Sequence, residues 1–328
     1  MESAYRQHLP KEGWSERQGL DISDPYIYSE KVINGPSFQA IWNGWKENLA
    51  AGFYGITSNG VKRGGLYRLQ DEGAPTQEIV DAATAVIASL SPGEKSAAVR
   101  DLESEDCVHL EQLQQAKVDL IIALLKKSFS DKGFAKIAGA MKTNKFLGPD
   151  KGIEICAKEG ELGLELMQSL PPDLQRKAQT YANLHDDAMP DGRWNLADQR
   201  HLAGAFQDNR VIPYEGVVAS DMDCENQQKL MAVVEAFLAL LPPKPLEARL
   251  KQIRAWLPET YFSWIGGYGP EDPFYYRIQS PVALFEFDHH SSVFLTNREP
   301  AKYHIHTVQR IPNGNDYGME LKSLATKP

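Results

Sequence analysis

Apolar residues recur at helical spacing through most of the first 257 positions and alternate with polar ones after that. In FQAIWNGWKENLA, residues 38–50, Phe38, Ile41, Trp45 and Leu49 fall on one stripe, which predicts an amphipathic helix. Residues 75–90 repeat the pattern at Ile79, Ala83, Val86 and Leu90, and Pro92 marks another helix start. Residues 108–142 predict one or two further helices, split near Ser130–Gly133. A helix is expected at about 161–170 and another entering at Pro171-Pro172. A short one is expected at 196–206, a strong one at 222–241 and a last one at 245–257. Residues 143–160 and 185–195 read as loops, the second acidic and turn-rich.

From Tyr261 onward the chain changes period. YFSWIGG, FYYRIQSPVALFEFD, SVFLT and YHIHTVQRI are aromatic and β-branched, with Gly, Pro and Asn between them, and predict strands. Residues 51–70 show the same character on a smaller scale and predict a short strand pair. The expected fold class is α+β: a helical body packed on an antiparallel sheet built from the strands of 261–311 and the pair in 51–70. One domain is expected over 1–328, with a helical region at about 75–257 and a β-rich region at about 261–318 carrying the site.

Composition narrows the function classes only slightly. The 328 residues are 42% hydrophobic and 24% charged, in the range of an ordinary globular chain. A net charge of −9 and the lack of a basic stripe argue against a nucleic-acid partner. The longest apolar run, LIIALL at 120–125, is too short to span a bilayer, and the polar start lacks a signal core, so the expectation is a cytoplasmic protein without a membrane partner. Cys107, Cys156 and Cys224 are distant and odd in number, as expected for unpaired thiols. No glycine spacing matches a P-loop or dinucleotide fingerprint, so no nucleotide cofactor is indicated.

The candidate chemistry is concentrated in one place. Four of eight histidines lie between 289 and 306, as His289-His290 and His304-Ile305-His306, with Glu286 and Asp288 just ahead. Side chains alternate across a strand. Glu286, Asp288 and His290 then share one face, opposite Phe285 and Phe287; His304, His306, Val308 and Arg310 share another, opposite Tyr303, Ile305 and Thr307. In an antiparallel hairpin the two polar faces coincide, with opposed Cβ atoms ~5 Å apart. His304 and His306 with one of Glu286, Asp288 or His290 then make a divalent metal site for Fe, Cu or Zn; two histidines and a carboxylate with open positions is an iron pattern. Glu286, Asp288 and Arg310 are candidate catalytic groups. Arg310 would orient a substrate anion or pair with Glu286 or Asp288. Arg277, Trp264 and Tyr276 on neighbouring strands, and Asp208, Asn209 and Tyr214 in GAFQDNRVIPYEGV, are candidate substrate contacts.

The segments GAFQDNRVIPYEGV, YFSWIGG, DPFYYRIQSPVALFEFDHHSSVFLTN and PAKYHIHTVQRIPNGNDYG resemble domain-of-unknown-function family 3500. The likeness is to its fungal branch, which GITSNG and LYRLQDEGAPT extend into the N-terminal half. Bacterial members carry an upstream Gly-His-His motif that this chain lacks. The resemblance implies a shared fold and an enzyme found beside natural-product pathways; the family's activity is unassigned. The leading expectation is a metal-dependent enzyme doing oxidative chemistry on a small organic substrate. The alternatives are a metal-free or zinc-dependent cyclase, isomerase or hydrolase using His–carboxylate acid–base catalysis, and a non-catalytic small-ligand binding protein.

Overall fold

Proline and small polar residues set the helix starts that the periodicity requires. The computed structural model describes residue 30 and residues 33–99, 113–145, 156–291, 297 and 299–325. Helices α1 to α5 span Pro36–Ala50, Thr76–Ser89, Pro92–Ala98, Gln115–Ser128 and Asp131–Lys145. Helices α6 to α10 span Ala157–Ser169, Pro172–Ala178, Cys224–Leu238, Pro243–Ala255 and Met319–Ala325. Pro36, Pro92 and Pro172 open their helices, where a missing N–H is harmless. Ser91 and Glu94 close a reciprocal capping box on α3.

Six strands follow: β1 Gln179–Tyr181, β2 Val217–Val218, β3 Tyr261–Gly266, β4 Phe274–Gln279, β5 Leu284–His289 and β6 Ile305–Arg310. They form one sheet in the order β1-β3-β4-β5-β6, with β2 also on β3. The fold is α+β, and the sheet is mixed because β1 runs parallel to β3 while the other pairs are antiparallel.

The structure differs from expectation at two places. Residues 51–70 form no strand pair; Thr57 makes a single parallel bridge to Val211, and Asn209 clasps Gly52, Tyr54 and Gly55 through its amide. Residues 196–206 are turns and not a helix, with Gln199 at φ 50°. FYYRIQ and the strand carrying Glu286 and Asp288 are separate, as expected, and join at Ser280–Ala283, where the Ser280 hydroxyl accepts from the Ala283 N–H at 3.0 Å. The predicted strand SVFLT and most of the 143–160 loop lie outside the described residues.

The chain divides into two compact units. One comprises Met1–Leu69, Phe146–Phe237 and Leu250–Pro328; the other comprises Gln70–Lys145 and Leu238–Arg249. In the second, the N–H of Ser130 donates to the Leu240 carbonyl at 3.1 Å and Lys117 pairs with Glu94 at 2.5 Å. The sheet lies in the first unit.

Both sheet faces are covered, so β4 and β5 are buried along their whole length. One face is aromatic. Trp264, Tyr276 and Phe287 stack in a row at 5.9 and 5.3 Å, Phe274 lies 4.4 Å from Trp264, and Phe237 of α8 meets Phe285 at 5.1 Å. Helix α6 covers this row with Gly160 and Gly163. A Cβ on Gly160 would stand 2.8 Å from the Phe287 ring, and one on Gly163 would enter the Tyr276 ring. The glycines that weaken α6 as an isolated helix are therefore what lets it approach the sheet. The opposite face is apolar at one end, where Leu284 and Val308 pack with Ile56, Leu202, Ala203 and Ile212, and polar at the other. Gly163→Ala is expected to destabilise the protein by about 1–3 kcal/mol through overpacking, read as a lowered urea midpoint; an unchanged midpoint would refute this packing account.

Candidate metal centre

The pairing register decides which side chains meet on the polar face. Tyr275 stands opposite Asp288, and Asp288 opposite His306; one step along, Arg277 stands opposite Glu286, and Glu286 opposite Val308. Beyond the last strand pair, the N–H of His290 donates to the His304 carbonyl at 2.7 Å, so His290 and His304 extend the same surface. The His290 ring stacks flat on the His306 ring, with centroids 3.7 Å apart, and lies 5.8 Å from His304. Nε2 of His304 is 3.1 Å from Nε2 of His306.

The segment over this face is irregular and comes from 193–204. It supplies His201, whose ring centroid is 5.3 Å from that of His290. Ligand atoms of His201, Asp288 and His290 lie within 4.8 Å of one another, and all three residues are buried. Arg200, also fully buried, donates from Nε to Oδ1 of Asp288 at 2.6 Å. Its Nη2 donates to the His289 carbonyl at 2.7 Å and to the Gln199 amide oxygen at 2.9 Å. Oδ2 of Asp288 is left 3.0 Å from Nε2 of His290, but off the hydrogen-bonding direction. Nε2 of His201, Oδ2 of Asp288 and both ring nitrogens of His290 thus have no hydrogen-bond partner among the described residues. A buried polar atom without a partner costs about 1–3 kcal/mol, so four of them in one place mark a site that something else completes.

The electrostatics favour ligands. Burial pushes the His201 imidazole below its ordinary value. Burial, reinforced by the His290 charge, pushes His304 down to about 4 and His306 down to about 2. These rings are neutral at pH 7, the form that binds metal. Burial pushes the Asp288 carboxyl up, but Arg200 and His290 outweigh it and hold it below the ordinary carboxylate range. The Asn297 side-chain oxygen lies 3.0 Å from Nδ1 of His304; with the proton on Nδ1, the lone pair is left on Nε2. A neutral imidazole beside an ionised carboxylate suits a transition metal.

Several sequence candidates are placed elsewhere. Glu286 is spent: Oε1 accepts from the Leu202 N–H at 2.8 Å and the Tyr275 hydroxyl at 2.5 Å, and Oε2 from the Ala203 N–H at 2.9 Å. It anchors the 200–204 segment to the sheet and is not free to be a ligand or base. Trp264 and Tyr276 lie on the aromatic face against α6, with the Tyr276 hydroxyl on the Glu159 carbonyl at 2.7 Å, so they cannot wall the polar site; Tyr275, one residue away, faces it. Arg310 does not pair with Glu286 or Asp288. It binds Asp316 at 3.0 Å, Asp208 and the Ala203 carbonyl, which fixes both Arg310 and Asp208 in a structural network with Tyr317. Asn209 clasps the 52–55 backbone. Tyr214 stacks on Tyr261 at 4.8 Å. Arg277 binds Glu215 at 2.8 Å and the Pro213 carbonyl at 3.0 Å, and its Nη1 faces the polar side without a partner. His289 points to the aromatic face, 4.5 Å from Phe274 and 4.9 Å from Phe287, and burial lowers it to about 3.

His201 and Arg200 carry no ligand spacing in the sequence. The nearest signal is a charged pair set directly against Leu202-Ala203, apolar residues that are buried and pull the pair inward with them.

A family model described as Protein of unknown function (DUF3500) matches residues 147–319, a span that contains His201, Asp288, His290, His304 and His306. No curated protein and no solved structure matches the chain.

Two outcomes are expected. Glu286→Gln replaces an acceptor-only group with one carrying N–H donors aimed at backbone N–H groups; it should lower stability by about 1–3 kcal/mol in urea unfolding. The lowered histidines also give a pH window. The unfolded chain, with ordinary imidazoles, binds more protons than the native state below about pH 6.5, so stability is held above that value and lost as pH falls toward 4. The urea midpoint of metal-free protein should decline between pH 6.5 and 4, whereas a level midpoint would contradict the neutral, buried rings.

Proposed function

The chain belongs to the DUF3500 family of proteins of unknown function, and we propose that it is a metal-dependent enzyme acting on a small organic substrate. The observation behind this is the buried group of His201, Asp288 and His290, whose facing atoms have no hydrogen-bond partner among the described residues. The ligand set is again two histidines and one carboxylate, but His201 and His290 take the places that strand alternation assigns to His304 and His306. Such a set with open positions suits iron(II) and oxidative chemistry; with zinc, the same residues would favour water activation instead.

The chain's own groups have separable roles in this reading. Arg200 fixes Oδ1 of Asp288 and so aims Oδ2 at the imidazoles, as outer partners of metal ligands do. The His304 carbonyl and the Asn297 amide, which bonds the His290 carbonyl at 2.9 Å, hold the His290 backbone in place. His306 is half-buried, and it forms with His304 the less enclosed side of the group. Their Nε2 atoms are positioned to pass a proton between an outer and an inner position.

A second reading has one specific observation in its favour. The 3.1 Å contact between His304 and His306 is an ordinary hydrogen bond that requires no metal. An acid–base enzyme working through that pair would be a cyclase, isomerase or hydrolase.

Elemental analysis separates the two. Protein produced in medium supplemented with iron, copper and zinc should carry close to one metal per chain. His201→Ala and Asp288→Ala should remove it, and Arg200→Lys should weaken retention by about 10–100-fold. Trace metal only, with wild type indistinguishable from His201→Ala, would defeat the metal reading and leave the acid–base one.

A further inference from the structure

Beside the histidine group, the polar face carries a set of donors with nothing to donate to. Arg193 is 4% exposed and its guanidinium sits over the Tyr275 ring, 5.0 Å from the centroid. Nη1 donates to the Arg200 carbonyl at 2.6 Å, which fixes its orientation. Nε and Nη2, the two donors that run parallel along one edge, are buried and have no hydrogen-bond partner among the described residues. In the neighbouring row of the sheet, Ser263 stands opposite Arg277, and both the Ser263 hydroxyl and Nη1 of Arg277 are partnerless too. No carboxylate pairs with Arg193 or Arg210 among the described residues. The carboxylate of this row, Glu286, accepts from the Leu202 and Ala203 N–H groups and the Tyr275 hydroxyl.

A guanidinium is not buried without compensation, and cation–π contact with Tyr275 supplies only part of it. Burial pushes the Arg210 guanidinium below its ordinary value, and Arg193 and Arg277 push the same way, so the three cations share one neighbourhood. Glu215 pairs with Arg277 at 2.8 Å and the Glu286 carboxylate acts on Arg210, but neither bonds the Nε–Nη2 edge of Arg193. The parallel Nε–Nη2 edge matches a planar carboxylate in a two-point pairing. Arg193 and His201 both border the Tyr275 ring, the second at 6.2 Å between centroids, and Arg193 is bonded to the residue preceding His201. An anion on Arg193 is therefore a neighbour of the proposed metal ligands.

We propose that Arg193 is a substrate-binding residue, and that its Nε–Nη2 edge pairs with a carboxylate group of an organic-acid substrate. Arg277 and Arg210 add positive potential around it. The inference rests on the proposed function only in taking the bound acid as the substrate; the pairing itself requires no metal, so the two can fail separately.

Chelator-treated full-length protein, titrated calorimetrically, tests the pairing. Acetate or benzoate should bind, and the neutral isostere benzamide should not. Arg193→Lys keeps the charge but loses the edge, and should weaken binding about tenfold or more while leaving the circular dichroism spectrum unchanged. Binding by neither acid, equal affinity in Arg193→Lys, or binding of inorganic phosphate without either acid would each overturn the proposal. Should Arg193→Lys fail to fold, a crystal structure of the wild type with 4-bromobenzoate decides: the bromine signal must place the carboxylate on Arg193, and any other location overturns it. Loss of metal in the elemental test, with acid binding intact, would sink only the metal reading.

Discussion

Neither Arg200 nor Asp288 could be buried without the other. Both side chains are fully enclosed, and the 2.6 Å contact from Nε to Oδ1 joins an irregular segment to the middle of the sheet. Removing one partner of such a pair costs about 3–5 kcal/mol because the other charge is stranded. The rest of the site depends on this contact. It draws His201 over the sheet, holds the Asp288 carboxylate ionised and directs Oδ2 toward the imidazoles. The same guanidinium also bonds the His289 carbonyl and Gln199, which in turn meets Ser291 through both its amide atoms.

Glu286 does the same work one residue pair away, with backbone donors in place of a cation. Its carboxylate accepts the N–H groups of Leu202 and Ala203, so the segment following His201 is fixed at two successive points along β5. The two carboxylates of the Glu-x-Asp pair therefore differ in kind. Glu286 has every useful lone pair committed to fold; Asp288 has one oxygen committed and one facing histidines. The division follows from which groups the covering segment offers at each position, and not from the carboxylates themselves.

The sheet is asymmetric in a way that favours chemistry. Its aromatic face is closed by α6 through Gly160 and Gly163 and holds stacked rings with few polar groups. Its other face carries the donors and acceptors and is covered by a segment without regular structure, whose backbone is satisfied through side chains such as Glu286 and Asn195, the latter accepting from the N–H groups of Ala197 and Asp198. A rigid, packed back and a polar, loop-covered front is how a scaffold holds functional groups in register.

Much of this was legible in the sequence. Period-two alternation placed Asp288, His290, His304 and His306 on one face and turned His289 away, because a strand leaves a side chain no third direction. Helix starts at Pro92 and Pro172 followed from local chemistry, and the strands of 261–310 from their composition. The parity of Tyr275 and Tyr276 was not legible: β4 is buried on both sides, so no polar alternation marks which ring faces the histidines, and only pairing with Asp288 and Phe287 settles it. His201, Arg200 and Arg193 were not legible either. They sit in turns about 90 positions before the strands they meet, and turns have no period to read. Local sequence dictates direction within an element; the meeting of an irregular segment with a sheet is decided only when buried charges find their partners in three dimensions.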